Sequence, residues 1–209
     1  MGDKAPGSSR AGTYGLAGAL RDDHNMVGVT IVAEKVRMAV TFGIEDARVI
    51  ARRAHEGQND LAGHPYIEHV EAVAAGLVDF DLDVQIAGML HDVVEDSPIT
   101  IDDLRREGVS ERSLAAIGLV SKNLHPELSY SAGIALICQS ADARFVKIAD
   151  NAHNSLPERI ADLTAKTGKP PNPRYAEARK LLYAATEQRD VERILRRTNT
   201  SLLEEAQTR

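Results

Sequence analysis

Residues 85–100 read QIAGMLHDVVEDSPIT, and the way charge is embedded in that stretch decides both the fold and the place to look for chemistry. One imidazole, His91, and three carboxylates, Asp92, Glu95 and Asp96, interrupt a run otherwise built from Ile86, Ala87, Met89, Leu90, Val93 and Val94. Burying charge in such a run is costly unless a metal or a counter-charge shares the site. If the stretch is helical, His91 and Glu95 lie four apart on one face, and so do Asp92 and Asp96. Two adjacent columns of ligand-type side chains, flanked by apolar packing residues, mark a site rather than a solvated face.

Outward from this stretch nearly everything reads as helix, so the fold class expected is all-α. Period-two alternation is scarce, aromatic residues make up only 4% of the chain, and apolar residues recur at spacings of three and four. Helices are expected over 30–42 and 44–57 with a break near Gly43, over 66–79 after the turn-like AGHP, and over 83–95, which carries the site. Thr100 with Asp103 resembles a capping box for a short helix ending at Gly108, and Ser110 can cap another reaching about Asn123. Further helices are expected near 129–139 and 141–155, followed by a short segment, PERIADL. The Pro- and Gly-containing TAKTGKPPNP, residues 164–173, reads as a loop, and residues 174–209 as a C-terminal helical pair. In that pair Ala178, Leu181, Leu182 and Ala185 form an amphipathic stripe suited to core completion. Residues 1–25, rich in Gly, Ala and Ser, read as a flexible leader, with Met26 as an alternative start.

Bulk composition narrows the function classes. With 209 residues, 43% hydrophobic and 27% charged, the chain suits one globular domain with a sizeable core. Its net charge of -6 argues against sequence-independent nucleic-acid binding, which depends on neutralising phosphates with Lys and Arg. Nothing in that charge excludes a small anionic substrate held by a few local cations. The single cysteine, Cys138, fits a small buried hydrophobe in a reducing compartment, and a cytoplasmic location is expected. No apolar run reaches the roughly 20 residues of a membrane span, and Met1-Gly2 lacks the downstream Ser or Thr of a myristoylation signal.

Three other segments supply side chains that could meet the His91-Asp92 stretch. His69 lies one turn into its helix in GHPYIEHVEAVA; by itself such a histidine is ordinarily a satisfied core or surface residue. In FVKIADNAHN, Lys147, Asp150 and Asn154 share a helical face among Val146, Ile148 and Ala149. Asp150 there needs a partner, and a metal or a salt bridge to Lys147 would serve equally. In AHEGQ, residues 54–58, His55 and Gln58 share a helix side and read as surface polar residues.

Order and spacing say more than any one segment: a His, then a His-Asp pair 22 residues on, then an Asp 58 residues beyond that pair's Asp. The pattern resembles the HD superfamily of metal-dependent phosphohydrolases. More narrowly, AHEGQ, GHPYIEH, MLHDVVEDSPIT and VKIADNAHN resemble the hydrolase domain of the Rel/SpoT alarmone enzymes and their small standalone relatives, over about residues 44–156. That resemblance implies an HD-domain helical bundle over 26–163 and a hydrolase-only enzyme. The implied reaction removes pyrophosphate from the 3′ position of guanosine tetra- and pentaphosphate.

Carried over residue by residue, the resemblance implies that His69, His91, Asp92 and Asp150 hold one Mn²⁺, with Fe²⁺ or another divalent ion as substitutes. It implies that Glu95 and Asp96 orient or deprotonate the attacking water, and that Asn154 contacts the nucleotide; Tyr66, Lys122 and Lys147 are further candidates for substrate contact. Arg144 and Arg159 could also reach phosphate, although solvated surface is the ordinary reading of each. No nucleic-acid or membrane partner is implied, and a homo-oligomer is compatible. The chain departs from the family where a basic residue usually follows the Gln of HxGQ: here Asp60-Leu61 stand instead. An acid there would weaken attraction for a multiply charged nucleotide, which keeps open an HD phosphohydrolase acting on a different nucleotide or phosphoester. A non-enzymatic nucleotide sensor or interaction protein is a third reading, disfavoured because every implied ligand and both flanking acids are present.

Overall fold

The computed structural model describes residues 41–170 and 172–208. The expected leader, and residues 30–40 of the first expected helix, lie outside this range; Thr41 and Phe42 are not helical. The described residues form helices α1 (Ile44–Ala54), α2 (Tyr66–Gly76), α3 (Leu82–Leu90), α4 (Val93–Asp96), α5 (Ile101–Glu107), α6 (Glu111–Val120), α7 (Tyr130–Ile137), α8 (Ala141–Asn154), α9 (Pro157–Thr167), α10 (Arg174–Ala184), α11 (Gln188–Thr198) and α12 (Leu203–Gln207). Two short 3₁₀ turns, Lys122–Leu124 and Thr200–Leu202, complete them. No β-strand occurs among these residues, and the fold is all-α.

The sequence explains several helix ends. At α5, Thr100 accepts a bond from the Asp103 N–H while the Asp103 carboxylate accepts from the Thr100 N–H, and Gly108 closes the helix at φ 104°. Ser110, Ser129 and Ser140 cap α6, α7 and α8 in the same way, each accepting from a backbone N–H three residues on. Helix α9 continues through TAKT to Gly168, whose φ of 68° ends it, so the loop begins four residues later than composition suggests.

Helix α3 lies at the centre. Val84, Ile86, Ala87, Gly88, Met89 and Leu90 are all buried, so the helix is apolar on every side over its last five residues and packs against α1, α2, α6 and α8. Gly88 permits the approach of α2: a Cβ there would come within 2.6 Å of Leu77 Cδ1. Helices α10 and α11 pack on α8, and α11 also on α2, adding Leu182, Tyr183, Ile194 and Leu195 to the same core. The buried face of α10 is not the expected stripe. Ala178 and Leu182 are buried, but Leu181 and Ala185 are exposed, and Arg179, Tyr183 and Thr186 take the inner positions. Arg179 is tolerated inside because Glu205, Asn151 and Ser155 accept its hydrogen bonds. No described helix is long and apolar enough to cross a membrane.

The expected single helix over 83–95 is divided. His91 donates Nδ1–H to the Gly88 carbonyl at 2.8 Å, the carbonyl that an unbroken helix would give to the Asp92 N–H. Asp92 adopts φ -98° and ψ -7°, in the bridge region, before α4 resumes. Leu90, fully buried beside this break, anchors it. Leu90→Ala should cost about 2–5 kcal/mol of stability by denaturant melting. It should also weaken divalent-metal binding through the loosened His91.

Candidate metal centre

Helix α2, the α3–α4 junction and helix α8 each deliver one part of a cluster. His69 comes from the first turns of α2, His91 and Asp92 from the junction, and Asp150 from the buried face of α8. One ligand atom from each of His69, His91 and Asp92 lies within 4.8 Å of the others. Asp92 Oδ2 is 3.1 Å from His91 Nε2 and 3.6 Å from His69 Nε2. Asp150 Oδ1 stands 3.4 Å from His69 Nε2 and 3.9 Å from His91 Nε2.

These separations suit a shared cation, since metal–ligand bonds of about 2.1 Å place neighbouring donors roughly 3 Å apart. Tautomer chemistry agrees. With its Nδ1–H spent on Gly88, His91 turns the Nε2 lone pair inward, and that buried Nε2 has no hydrogen-bond partner among the described residues. His69 is oriented by another histidine, because its Nδ1 lies 2.8 Å from His153 Nδ1. Burial, the neighbouring His69 charge and Arg159 depress the His153 pKa to about 3, so its ring is neutral and accepts the His69 Nδ1–H.

Charge in the cluster balances without an ion in a way that an ion can replace. Burial opposes protonation of His69, but the hydrogen bonds and charges of Asp150 and Asp92 raise its pKa to about 9. Burial acts to raise the Asp92 pKa, yet the His91 and His69 imidazoles hold it well below the usual carboxylate range. For Asp150 burial again opposes ionisation, and Lys147 with the two histidines outweighs it. The centre is therefore two carboxylates neutralised by Lys147 and a protonated His69, and a divalent ion would displace the proton from His69.

The acids beside this centre are held differently. Tyr66 donates one bifurcated O–H to Asp92 Oδ2 at 2.8 Å and Asp96 Oδ2 at 3.0 Å, joining the two residues of one expected column. Burial and the Asp92 charge raise the Asp96 pKa. Glu95 does not join His91. Both of its oxygens are taken by Lys122, through the backbone N–H and the ammonium, each at 2.9 Å. Lys147 donates to Asp150 Oδ2 at 2.7 Å and Asn154 to Asp150 Oδ1 at 2.6 Å.

Other expectations are corrected by the coordinates. His55 is not a surface residue: it is 3% exposed, stacks on Tyr66 at 4.8 Å between ring centroids and donates to Gln58 at 2.9 Å. Gln58 in turn donates to the Asp96 carbonyl at 3.0 Å. Arg144 is remote from the centre, donates to the Cys138 carbonyl and lines a separate cavity with residues 184–188. Asp60 does not present a free charge to the cavity that it borders. It accepts the Gly63 and His64 N–H groups and pairs with Arg159 at 2.9 Å, both side chains largely buried.

Two cavities open on either side of the centre and share Tyr66, His69, Asp96, Asn154 and Tyr175. The first, about 460 Å³, runs past Lys122, Tyr130, Ile134 and Arg174; the second, about 560 Å³, past Gln58, Asn59, the Asp60–Arg159 pair and Leu163. Tyr130, His153, Arg174 and Tyr175 drew no attention in the sequence. Only the ADNAHN run, which already carried Asp150 and Asn154, offered a hint of His153.

The sequence pattern of the HD domain family matches residues 47–116, which include His69, His91 and Asp92. That segment of the chain is similar to an HD domain. It is similar to the bifunctional (p)ppGpp synthase/hydrolase SpoT of Escherichia coli K12, with 34% identity over 123 residues, covering 53% of this chain and 17% of that protein. A guanosine-3′,5′-bis(diphosphate) 3′-pyrophosphohydrolase of Haemophilus influenzae is 48% identical over 61 residues, covering 28% of this chain and 9% of that protein. A GTP pyrophosphokinase of Streptomyces coelicolor is 32% identical over 128 residues, covering 57% and 15%. This chain thus spans less than a fifth of the length of these relatives. Among solved structures, one described as a metazoan ortholog of SpoT that hydrolyses ppGpp aligns over 78% of this chain and 92% of its own, with 24% identity and a TM-score of 0.49. Asp150, the remaining residue of the cluster, lies beyond the matched segment and reaches the centre through α8.

Two measurements follow from this geometry. Because the proton on His69 must leave, the apparent affinity for Mn²⁺ should fall about tenfold per pH unit as pH drops below about 9, seen by calorimetric titration of metal-stripped protein. His153→Ala, which removes the group orienting His69, should weaken metal binding by roughly 10–100-fold with helix content unchanged.

Proposed function

We propose that the chain is a metal-dependent hydrolase that removes the 3′-pyrophosphate from guanosine tetra- and pentaphosphate, giving GDP or GTP and pyrophosphate. The observation that carries this reading is the convergence of His69, His91, Asp92 and Asp150 on one point, with Asp96 and Glu95 beside it and a cavity on each side. Similarity to proteins named for this reaction over about half of the chain supports the substrate class. Mn²⁺ is the proposed ion, because mixed imidazole and carboxylate donors suit a first-row divalent metal. When bound, such an ion supplies Lewis-acid polarisation of a phosphoryl oxygen and acidifies water.

The chain's own residues do the rest. Asp96, with its raised pKa and a Tyr66 hydrogen bond, is the proposed general base that takes the proton of the attacking water. Glu95 stands ready beside it once Lys122 turns to substrate phosphate. Lys147 and Asn154 hold Asp150 in place, and Asn154 also borders both cavities, where it can meet the sugar. The water's oxygen bonds to the 3′ phosphorus, the bond from that phosphorus to the ribose 3′-oxygen breaks, and that oxygen receives the proton Asp96 took from the water, so the nucleotide leaves with a 3′-hydroxyl. Asp60 weighs less against a polyanionic substrate than its charge suggests, since Arg159 neutralises it.

Protein loaded with Mn²⁺ should release pyrophosphate from guanosine tetraphosphate, and Asp92→Ala should lose at least about 10³-fold of that rate together with the metal. Asp96→Asn should lose about 10²–10⁴-fold in kcat while metal affinity is retained. A panel adding the adenosine counterpart, ordinary triphosphates and deoxynucleoside monophosphates tests the substrate. Asp92-dependent turnover of another member alone would replace the proposed substrate and keep the chemistry.

A further inference from the structure

Tyr130 and Arg174 stand together in the first cavity, each with hydrogen-bonding capacity that the protein leaves unused. Tyr130 opens α7, and its hydroxyl is buried with no hydrogen-bond partner among the described residues. Arg174 opens α10, on the far side of the 168–173 loop, and its guanidinium lies 5.1 Å from the Tyr130 ring centre and 5.2 Å from that of Tyr175. Two aromatic rings and a hydrogen bond to Tyr175 therefore hold the cation without neutralising it, and the rest of its five N–H donors are left over. The other cations on this wall are occupied, Lys122 by Glu95 and Lys147 by Asp150. Among the described residues Arg174 has no carboxylate within ion-pair distance.

We propose that Tyr130 and Arg174 form an oxyanion subsite that receives the diphosphate group released in the reaction. The proposal rests on the hydrolase reading for its substrate and on this geometry for its place. A planar guanidinium presents a fork of N–H donors matched to phosphate oxygens, and the phenol adds one more donor beside it. The same cavity reaches His69, Asp92 and Asp150, so a diphosphate seated here extends from the metal centre without crossing protein. The second cavity presents amides and an internally neutralised Asp60–Arg159 pair, which suits the less charged nucleoside end. The cleaved bond then lies between the two cavities, with the pyrophosphate on the Arg174 side. Arg174 and Tyr130 are positioning groups for the diphosphate that the water attacks, separate from the proton transfer assigned to Asp96.

Inorganic pyrophosphate is the probe, titrated calorimetrically into full-length protein carrying one equivalent of Mn²⁺. Arg174→Met keeps the apolar stem over the rings and removes the fork; Tyr130→Phe keeps the ring and removes the hydroxyl. Pyrophosphate binding should weaken roughly 10–100-fold in Arg174→Met and by a smaller factor in Tyr130→Phe, while Mn²⁺ affinity stays at the wild-type value. Arg174→Lys should recover part of the loss. A purely structural role would move metal binding as well. Wild-type protein that binds no pyrophosphate, or variants that bind it as wild type does, would overturn the subsite. If Arg174-dependent pyrophosphate binding is found without hydrolysis of guanosine tetraphosphate, the subsite stands and the proposed substrate falls. If hydrolysis proceeds with KM and pyrophosphate inhibition unchanged in both variants, the substrate stands and the subsite falls.

Discussion

The interaction on which the rest depends is the repulsion between two carboxylates, the half-buried Asp92 and the buried Asp150, held close to the same pair of imidazoles. Neither acid can stay ionised at low solvent access without opposing charge. Lys147 supplies one positive charge, and a protonated His69 supplies the next. A divalent cation can take the place of the His69 proton, so the centre is stable in two forms that differ in what neutralises it. This explains why so much of the chain is spent on rigid packing. Helix α3 is buried from Ile86 to Leu90, α8 is buried from Val146 to Ala152 apart from Lys147, and both fix backbone positions before any ligand arrives.

The break at His91–Asp92 is part of the same constraint. An unbroken helix would stack Glu95 over His91 and Asp96 over Asp92. By claiming the Gly88 carbonyl, His91 both fixes its own tautomer and releases the backbone at Asp92 into the bridge region. Of the two expected columns one survives, tied by the Tyr66 hydroxyl, while Glu95 turns to Lys122. The two acids next to the centre thus sit in different environments, one sharing a donor with a ligand and the other masked by an ammonium. Two chemically identical groups can be given separate tasks in this way.

Most of the helical fold was legible because local rules reach that far, whereas the meeting of His69 and Asp150 with His91 and Asp92 was expected only from a resemblance in order and spacing. Capping at Thr100 and Ser110, apolar spacing, and charge embedded in an apolar run are written within a dozen residues of one another. The less legible features arise where distant segments meet. His55 carries no local mark of burial, because the Tyr66 ring that covers it belongs to the next helix. Leu181 and Ala185 fit an amphipathic stripe, but α10 is turned by the bonds of Arg179 to Glu205 and Asn151. Tyr130 and Arg174 lie 44 positions apart with a linker between them, and no periodicity could pair them.

Asp60 shows why a departure from a family pattern has to be weighed in space. In the sequence it is an acid where a base is usual, and Coulomb's law alone makes it hostile to a polyphosphate. In the fold its carboxylate accepts two backbone N–H groups that shape the 59–65 loop, and its remaining charge is matched by Arg159 from α9. Those backbone bonds, the Arg159 charge and the nearby His64 hold its pKa down against the opposing effect of burial, so the pair is a fixed dipole rather than a free negative charge. At the distance of a bound nucleotide a neutral pair repels far less than a lone carboxylate. The pair gives the wall of the second cavity shape and hydrogen-bonding groups more than net charge, whereas in the first cavity Arg174 has, among the described residues, no carboxylate within ion-pair distance.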